Sequence, residues 1–323
     1  MKKILIIHTG GTIAMSENKE TGMVVPEEKN PLHSVNEMLQ ETVKIETEDY
    51  LHLPSPHITP RHMLGLAEKI NEKMKNSHFD GVVITHGTDT LEETAYLLDL
   101  LLHLDQPVVI TGAMRSSNEL GADGPHNLIS AVRTAASDKA AKKGVIVVFN
   151  DEIHTAKNVT KTHSSNIATF QSPQYGAIGI LTKREVSFHH IPAHREHFPV
   201  TKLSKKVLLV KAYAGMEESV MAHIASHPLD GLVLEAFGQG NVPPAIVPPL
   251  ESLIEKNIPV VLVSRSYSGI VQDTYGYEGG GRQLKEKGVI FTNGLNGQKA
   301  RLKLMAALEM TQDHGKLQEI FLR

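Results

Sequence analysis

Residues 4–15 read ILIIHTGGTIAM. An aliphatic run, Ile4 to Ile7, passes through His8 and Thr9 into two glycines and Thr12. Continuous apolar runs of this kind suit strands buried on both faces, as in a parallel sheet covered by helices. The glycines then mark where the chain leaves the sheet. The pattern recurs in GVVITH (81–86), PVVITG (107–112) and GVIVVFN (144–150), all rich in Val and Ile. Between these runs lie helical patterns. In TPRHMLGLAEKINEKMKN (59–76), Met63, Leu66, Ala67, Ile70 and Met74 recur at three- and four-residue steps. LEETAYLLDLLLHL (91–104) and PHNLISAVRTAASDKAAKK (125–143) read the same way. The alternation predicts an α/β fold, with a larger N-terminal domain built on a flavodoxin-like or Rossmann-like parallel sheet.

The alternation stops at HHIPAHREHFPVTKLSKK (189–206), a polar stretch with two prolines and no apolar period. It resumes with the strand patterns VLLVKAY, GLVLEAFG, PVVLVSRS and VIFTNG, and with helical stretches at 220–224, 250–256 and 298–308. The expected organisation is a catalytic α/β domain over 1–190, a solvated linker over 191–206, and a smaller C-terminal α/β domain over 207–323.

Composition narrows the function. A chain of 323 residues favours two domains. A net charge of −3 and the lack of tryptophan argue against nucleic-acid binding. With no cysteine, disulfides, thiolate chemistry and cysteine-ligated metals are excluded. No stretch is long enough to span a bilayer, and the N-terminal apolar run is too short for a signal peptide, so no membrane partner and a cytoplasmic location are expected. His189, His190, His194 and His197 cluster in the linker, but they follow no ligand register, and no metal is expected there.

In open α/β sheets ligands gather at the carboxyl ends of strands. Three such ends carry Thr9-Gly10-Gly11-Thr12, Thr85-His86-Gly87-Thr88-Asp89-Thr90 and Thr111-Gly112-Ala113-Met114-Arg115. Each has a plainer reading. Gly-Gly-Thr also makes a simple turn, and Thr88 and Asp89, ahead of Glu92 and Glu93, also fit a helix N-cap. A phosphate loop is a weaker rival, since neither GxGxxG nor GxxxxGK[ST] follows the first strand. A threonine nucleophile requires a base and a pocket that stabilises an oxyanion. Lys161, in Asn158-Val159-Thr160-Lys161-Thr162, is the candidate base if its surroundings favour the neutral amine. Asp89 is the candidate partner for a substrate ammonium.

TGGTIA, GVVITHGTDTLEETAYLLDL, PVVITGAMR, GADGPHNLISAV, NVTKT and NGQKAR together resemble the bacterial-type L-asparaginases, from about residue 3 to the C-terminus. The resemblance implies hydrolysis of asparagine to aspartate and ammonia without a cofactor, with room for a minor glutaminase activity. It implies that Thr12 is the nucleophile and that Thr88 and Lys161 form a second polar constellation acting on water. It further implies that Asp89 grips the α-ammonium, that Ser55 binds the α-carboxylate, and that Ala113 offers a backbone carbonyl near the amide. Gln239 and Asn241 match a loop contributed by a neighbouring subunit, which implies a homodimer or a dimer of dimers (a homotetramer).

Three departures from the family pattern matter. The loop Ser16 to Asn30, expected to act as a lid hinged at Gly22, has no tyrosine; Met23 or Val24 stands near its place. Pro56 replaces a glutamine beside Ser55. Tyr275 aligns with a glutamate that one branch places on a neighbouring subunit, and Tyr277 with a tyrosine of the cytoplasmic-type branch; one of them is expected to substitute for the missing lid tyrosine, the alternative being that both are ordinary loop aromatics. Two rival functions share some of these features. The amidase subunit of a tRNA-dependent amidotransferase carries an extra N-terminal domain, whereas this sequence opens on the first strand. A silent amino-acid sensor has no need of both threonines and Lys161.

Overall fold

The computed structural model describes residues 1–18, 20–26, 43–192 and 194–322. The chain divides into two compact units, Met1–His197 and Phe198–Arg323.

In the first unit, β1 (Lys3–His8) is followed by a hairpin of β2 (Met15–Glu17) and β3 (Val24–Pro26), then by β4 (Lys44–Asp49) and helix α1 (Pro60–Asn76). Next come β5 (Gly81–Thr85), α2 (Leu91–Leu101), β6 (Val108–Thr111), α3 (Gly124–Ala135) and β7 (Val145–Phe149). Five short strands close the unit: β8 (Glu152–Thr155), β9 (Thr160–Lys161), β10 (Phe170–Gln171), β11 (Gly179–Leu181) and β12 (Val186–Phe188). The main sheet has the order β12-β11-β8-β7-β6-β5-β1-β4. From β4 to β7 neighbouring strands run parallel; from β7 to β12 they run antiparallel. Ile4 to Ile7 are fully buried, as expected for a strand covered on both faces.

The second unit carries β13 (Val207–Lys211), α4 (Glu218–Ser226), β14 (Gly231–Ala236), α5 (Val247–Glu255) and β15 (Val260–Ser264). It ends with α6 (Gly281–Glu286), β16 (Ile290–Phe291), α7 (Gly297–Met310) and α8 (His314–Leu322). Its four strands are all parallel, in the order β13-β14-β15-β16. Both units are therefore α/β, and the larger parallel sheet lies in the first.

Several expectations need correction. The helical pattern over 125–143 ends at Ala135, and Asp138–Ala140 forms only a 3-10 turn. Lys142 and Gly144 beyond it take positive φ, which no α-helix accommodates. β4 was not visible in the sequence because its KIETED pattern is that of a polar edge strand. The described residues of 189–206 form no helix or strand, but they are not simply solvated. Arg195 Nη1 donates to the Leu104 carbonyl at 3.4 Å, and the His103 and His197 rings lie 5.0 Å apart. Phe198 is buried. No described helix is long and apolar enough to cross a membrane.

Candidate active site

The chain leaves β1 at Thr9 and turns through Gly10 and Gly11 into a 3-10 turn, Thr12–Ala14. Gly11 sits at φ 85 and ψ 174, a region open essentially to glycine alone. Its absent side chain also allows a close backbone approach: a Cβ there would stand 2.2 Å from the Gly87 Cα. A Cβ on Gly87 would in turn meet the Ser55 side chain at 2.8 Å. Three segments distant in sequence are thus drawn together, each bringing one hydroxyl: Thr12, Ser55 and Thr88. Ser55 opens the 3-10 turn Ser55–His57, with Pro54 as its N-cap and Pro56 in its first turn, where no N–H donor is required.

These segments line a cleft of about 230 Å³ that also includes Asp89, Lys161 and Ser164. Lys161 Nζ donates to Thr88 Oγ1 at 3.0 Å and to Asp89 Oδ1 at 2.7 Å. The lysine side chain is 15% exposed and the aspartate 58%, so the pair runs from the wall of the cleft towards its mouth. The Asp89 backbone N–H donates to Ser55 Oγ at 3.1 Å, which leaves the Ser55 hydroxyl proton unused in that contact. Thr90 Oγ1 donates to the Ser55 carbonyl at 2.8 Å.

The N-cap of α2 is Thr90, and its side chain makes no capping bond. Thr88 and Asp89 therefore do not serve as the cap of that helix; their side chains face Lys161. Lys161 binds Thr88 and Asp89 rather than Thr12. Among the described residues no hydrogen bond reaches the half-buried Thr12 hydroxyl.

Behind the cleft, His86 is fully buried. Its Nδ1 lies 2.8 Å from the Gly87 carbonyl, so that nitrogen carries the proton and Nε2 accepts from Thr94 Oγ1 at 2.9 Å. Burial pulls its pKa down to about 4, so the ring is neutral at pH 7. The third loop is shaped by Asp123, which accepts from the Met114 and Arg115 N–H groups at 3.0 Å each. Asn127 Nδ2 donates to the Gly112 carbonyl at 3.0 Å. Ala113 is buried and does not line the cleft; its neighbour Met114 does.

The other sequence candidates lie in the second unit. Tyr275 and Tyr277 are exposed, with ring centroids 5.6 Å apart. Gln239 is exposed, and Asn241 Oδ1 accepts from the Gly281 N–H at 3.3 Å. Of the expected lid, Lys19 and residues 27–30 lie outside the described residues; the rest is the β2–β3 hairpin. Gly22, at φ 68, reverses the chain at the hairpin tip rather than hinging its base. The base is fixed by Asn118, which exchanges two 2.8 Å bonds with the Glu17 backbone. Sequence reasoning missed Ser164, which shares the NVTKT neighbourhood but belongs to no motif, and His86, which read as the tail of a strand.

Comparison with known proteins identifies a family. A family model described as asparaginase, N-terminal, matches residues 3–194. One described as the glutaminase/asparaginase C-terminal domain matches residues 206–321. A protein named probable L-asparaginase from Deinococcus radiodurans is 38% identical, over 99% of this chain and 97% of its own. L-asparaginase 2 of Escherichia coli is 36% identical, over 99% and 93%. The crystal structure of a probable cytoplasmic L-asparaginase from Campylobacter jejuni matches with a TM-score of 0.89, at 35% identity and 99% coverage of both chains. With both family domains matched in order along nearly its whole length, the chain belongs to the asparaginase family.

Proposed function

We propose that the protein is an L-asparagine amidohydrolase that works through a threonine acyl-enzyme, with glutamine as a minor substrate. The observation that carries this reading is the Thr88–Lys161–Asp89 constellation, hydrogen-bonded within one cleft that also contains Thr12 and Ser55. The Asp89 carboxylate holds the substrate α-ammonium, and the unused Ser55 proton is donated to the α-carboxylate. These two contacts present the side-chain amide to Thr12. The Thr12 hydroxyl oxygen attacks the amide carbon; the C–N bond breaks, and the proton given up by the hydroxyl ends on the departing nitrogen, which leaves as ammonia. Water, held by Thr88 with Lys161 beside it, then attacks the β-acyl ester, releasing aspartate and restoring the Thr12 hydroxyl. No cofactor enters this sequence of steps.

In this reading the enzyme is a homodimer or a dimer of dimers. Gln239, Asn241 and the Tyr275–Tyr277 pair belong to a surface offered to a neighbouring copy's cleft. The reading places the protein in the cytoplasm, and the Campylobacter jejuni relative, itself described as cytoplasmic, supports that placement.

Ammonia release from L-asparagine and L-glutamine tests the proposal. We expect turnover of asparagine, and losses of about a thousandfold or more in Thr12→Ala and in Thr88→Val, the scale on which removal of a reacting group acts. A wild type that binds aspartate but releases no ammonia would refute the amidohydrolase reading in favour of a sensor. Turnover surviving in Thr12→Ala would remove that residue as nucleophile.

A further inference from the structure

Lys161 sits on β9, a strand of only Thr160–Lys161 that belongs to no large sheet. Among the described residues its one strand partner is the equally short β10. A two-stranded ribbon of this size does not hold a side chain to catalytic tolerance by itself. A second tie crosses from α2. Glu92, in the first turn of that helix and 5% exposed, accepts from Thr160 Oγ1 at 3.0 Å and from the Lys161 backbone N–H at 3.3 Å, both on Oε1. A carboxylate is favoured at this end of a helix by the exposed N–H groups and the helix dipole.

We propose that Glu92 is a positioning residue for Lys161: it anchors the backbone end of the lysine to the same segment whose Thr88 and Asp89 receive the ammonium end. Residues 88–92 thus hold Lys161 at both ends. The inference deepens the proposed function and rests on the role of Lys161 in it. Glu92 touches no reacting atom. Without it the Thr160 hydroxyl and the Lys161 N–H lose this acceptor, β9 is free to drift, and Nζ no longer reaches Thr88 at 3.0 Å. A displacement of about 1 Å at a catalytic group costs about a hundredfold in rate.

The test compares Glu92→Ala, Glu92→Gln and Thr160→Val in the full-length protein, using asparagine turnover and amide exchange at Lys161. Glu92→Ala is expected to lower kcat about a hundredfold with KM within about threefold of wild type, since Asp89 and Ser55 still grip substrate. Glu92→Gln keeps an acceptor oxygen in place and is expected to restore most of kcat. Thr160→Val removes one of the two bonds and is expected to fall between them. In a Lys161→Met background, Glu92→Ala is expected to have no further effect on kcat, whereas a merely structural role would lower it again. Exchange of the Lys161 amide is expected to speed up at least about tenfold in Glu92→Ala and to stay protected in Glu92→Gln.

Wild-type kcat in Glu92→Ala, or additive losses with Lys161→Met, would overturn the proposal. If Glu92→Ala fails to fold, Glu92→Gln and Thr160→Val still decide it. If the wild type releases no ammonia from asparagine, the proposed function falls, and the exchange measurement alone decides whether Glu92 anchors Lys161.

Discussion

Gly11→Ala perturbs the point where the two threonine loops meet. The new Cβ would lie 2.2 Å from the Gly87 Cα and 2.3 Å from the Gly87 nitrogen, and ordinary contact begins at 3.4 Å. The two loops must therefore separate by about 1.2 Å, a backbone shift that no side-chain rotation relieves. Alanine at φ 85 and ψ 174 adds strain of about 1 to 3 kcal/mol. Thr12 follows Gly11 directly and Thr88 follows Gly87, so the separation falls on the two hydroxyls that the proposed reaction needs at fixed spacing. A displacement on this scale costs about a hundredfold or more in kcat/KM. Gly176→Ala is the control: it has φ 75 and nothing within 4 Å, so it carries left-handed strain without a collision. Thermal melts and asparagine turnover of both variants separate the two effects. We expect both to lower Tm, and only Gly11→Ala to lose turnover. If Gly11→Ala keeps kcat/KM within threefold of wild type, the close approach of the loops does not set the catalytic spacing.

Further expectations concern pH and the second unit. His86 has a folded pKa of about 4 against an ordinary 6.5, so the unfolded chain binds more protons in that window. Stability from this residue is complete above pH 6.5 and falls by about 3 kcal/mol as pH drops to 4. In His86→Gln, which keeps a donor for Gly87 and an acceptor for Thr94, denaturant titrations are expected to show a shallower acid loss. Asp99 works in the opposite sense. Burial raises its pKa to about 6, against the Val145 N–H that donates to it at 2.8 Å. The folded state binds the extra proton between pH 3.8 and 6, so Asp99→Asn is expected to gain stability over wild type as pH rises from 4 to 8. That gain is about 2 kcal/mol, reduced from the full shift because the residue keeps some solvent contact. If Tyr275 or Tyr277 replaces the absent lid tyrosine, Tyr275→Phe or Tyr277→Phe is expected to lower kcat at least about a hundredfold, the low end of what one general acid or base supplies. Wild-type turnover in both variants would reduce the pair to surface aromatics.

The parts of the molecule legible in the sequence are those governed by burial. β1, β5, β6 and β7 announce themselves because a strand covered on both faces must be apolar throughout. β4 escapes because an edge strand whose Glu46 and Glu48 pair with Lys3 and Lys69 needs no such run. β9 and β10 escape because two residues carry no period. At the site, Thr12, Thr88 and Asp89 were legible because they follow strands directly. Ser164 and Glu92 were not. Glu92 reads as one more acid in the first turn of a helix, and only the fold brings it to Thr160 and the Lys161 backbone. The proton acceptor for Thr12 is not written in the motifs at all, and no described residue bonds its hydroxyl.

In the proposed mechanism the Lys161–Asp89 pair links substrate recognition to chemistry. Asp89 Oδ1 receives Lys161 Nζ at 2.7 Å, and the carboxylate, 58% exposed, turns its other side to the cleft. A substrate ammonium arriving there shares the carboxylate with the lysine and weakens its hold on Nζ. Nζ, held less by Asp89, then rests more fully on the Thr88 hydroxyl, to which it donates at 3.0 Å. In the proposed reaction, binding the α-amino group therefore positions Lys161 on Thr88, and this group is worth more in turnover than in affinity. A substrate with the same side-chain amide but hydrogen in place of the α-amino group tests the coupling. Its kcat is expected to fall at least about tenfold, as binding energy spent on the reacting centre is lost from kcat as well as KM. An unchanged kcat with only KM raised would mean that Asp89 anchors substrate and does not reposition Lys161.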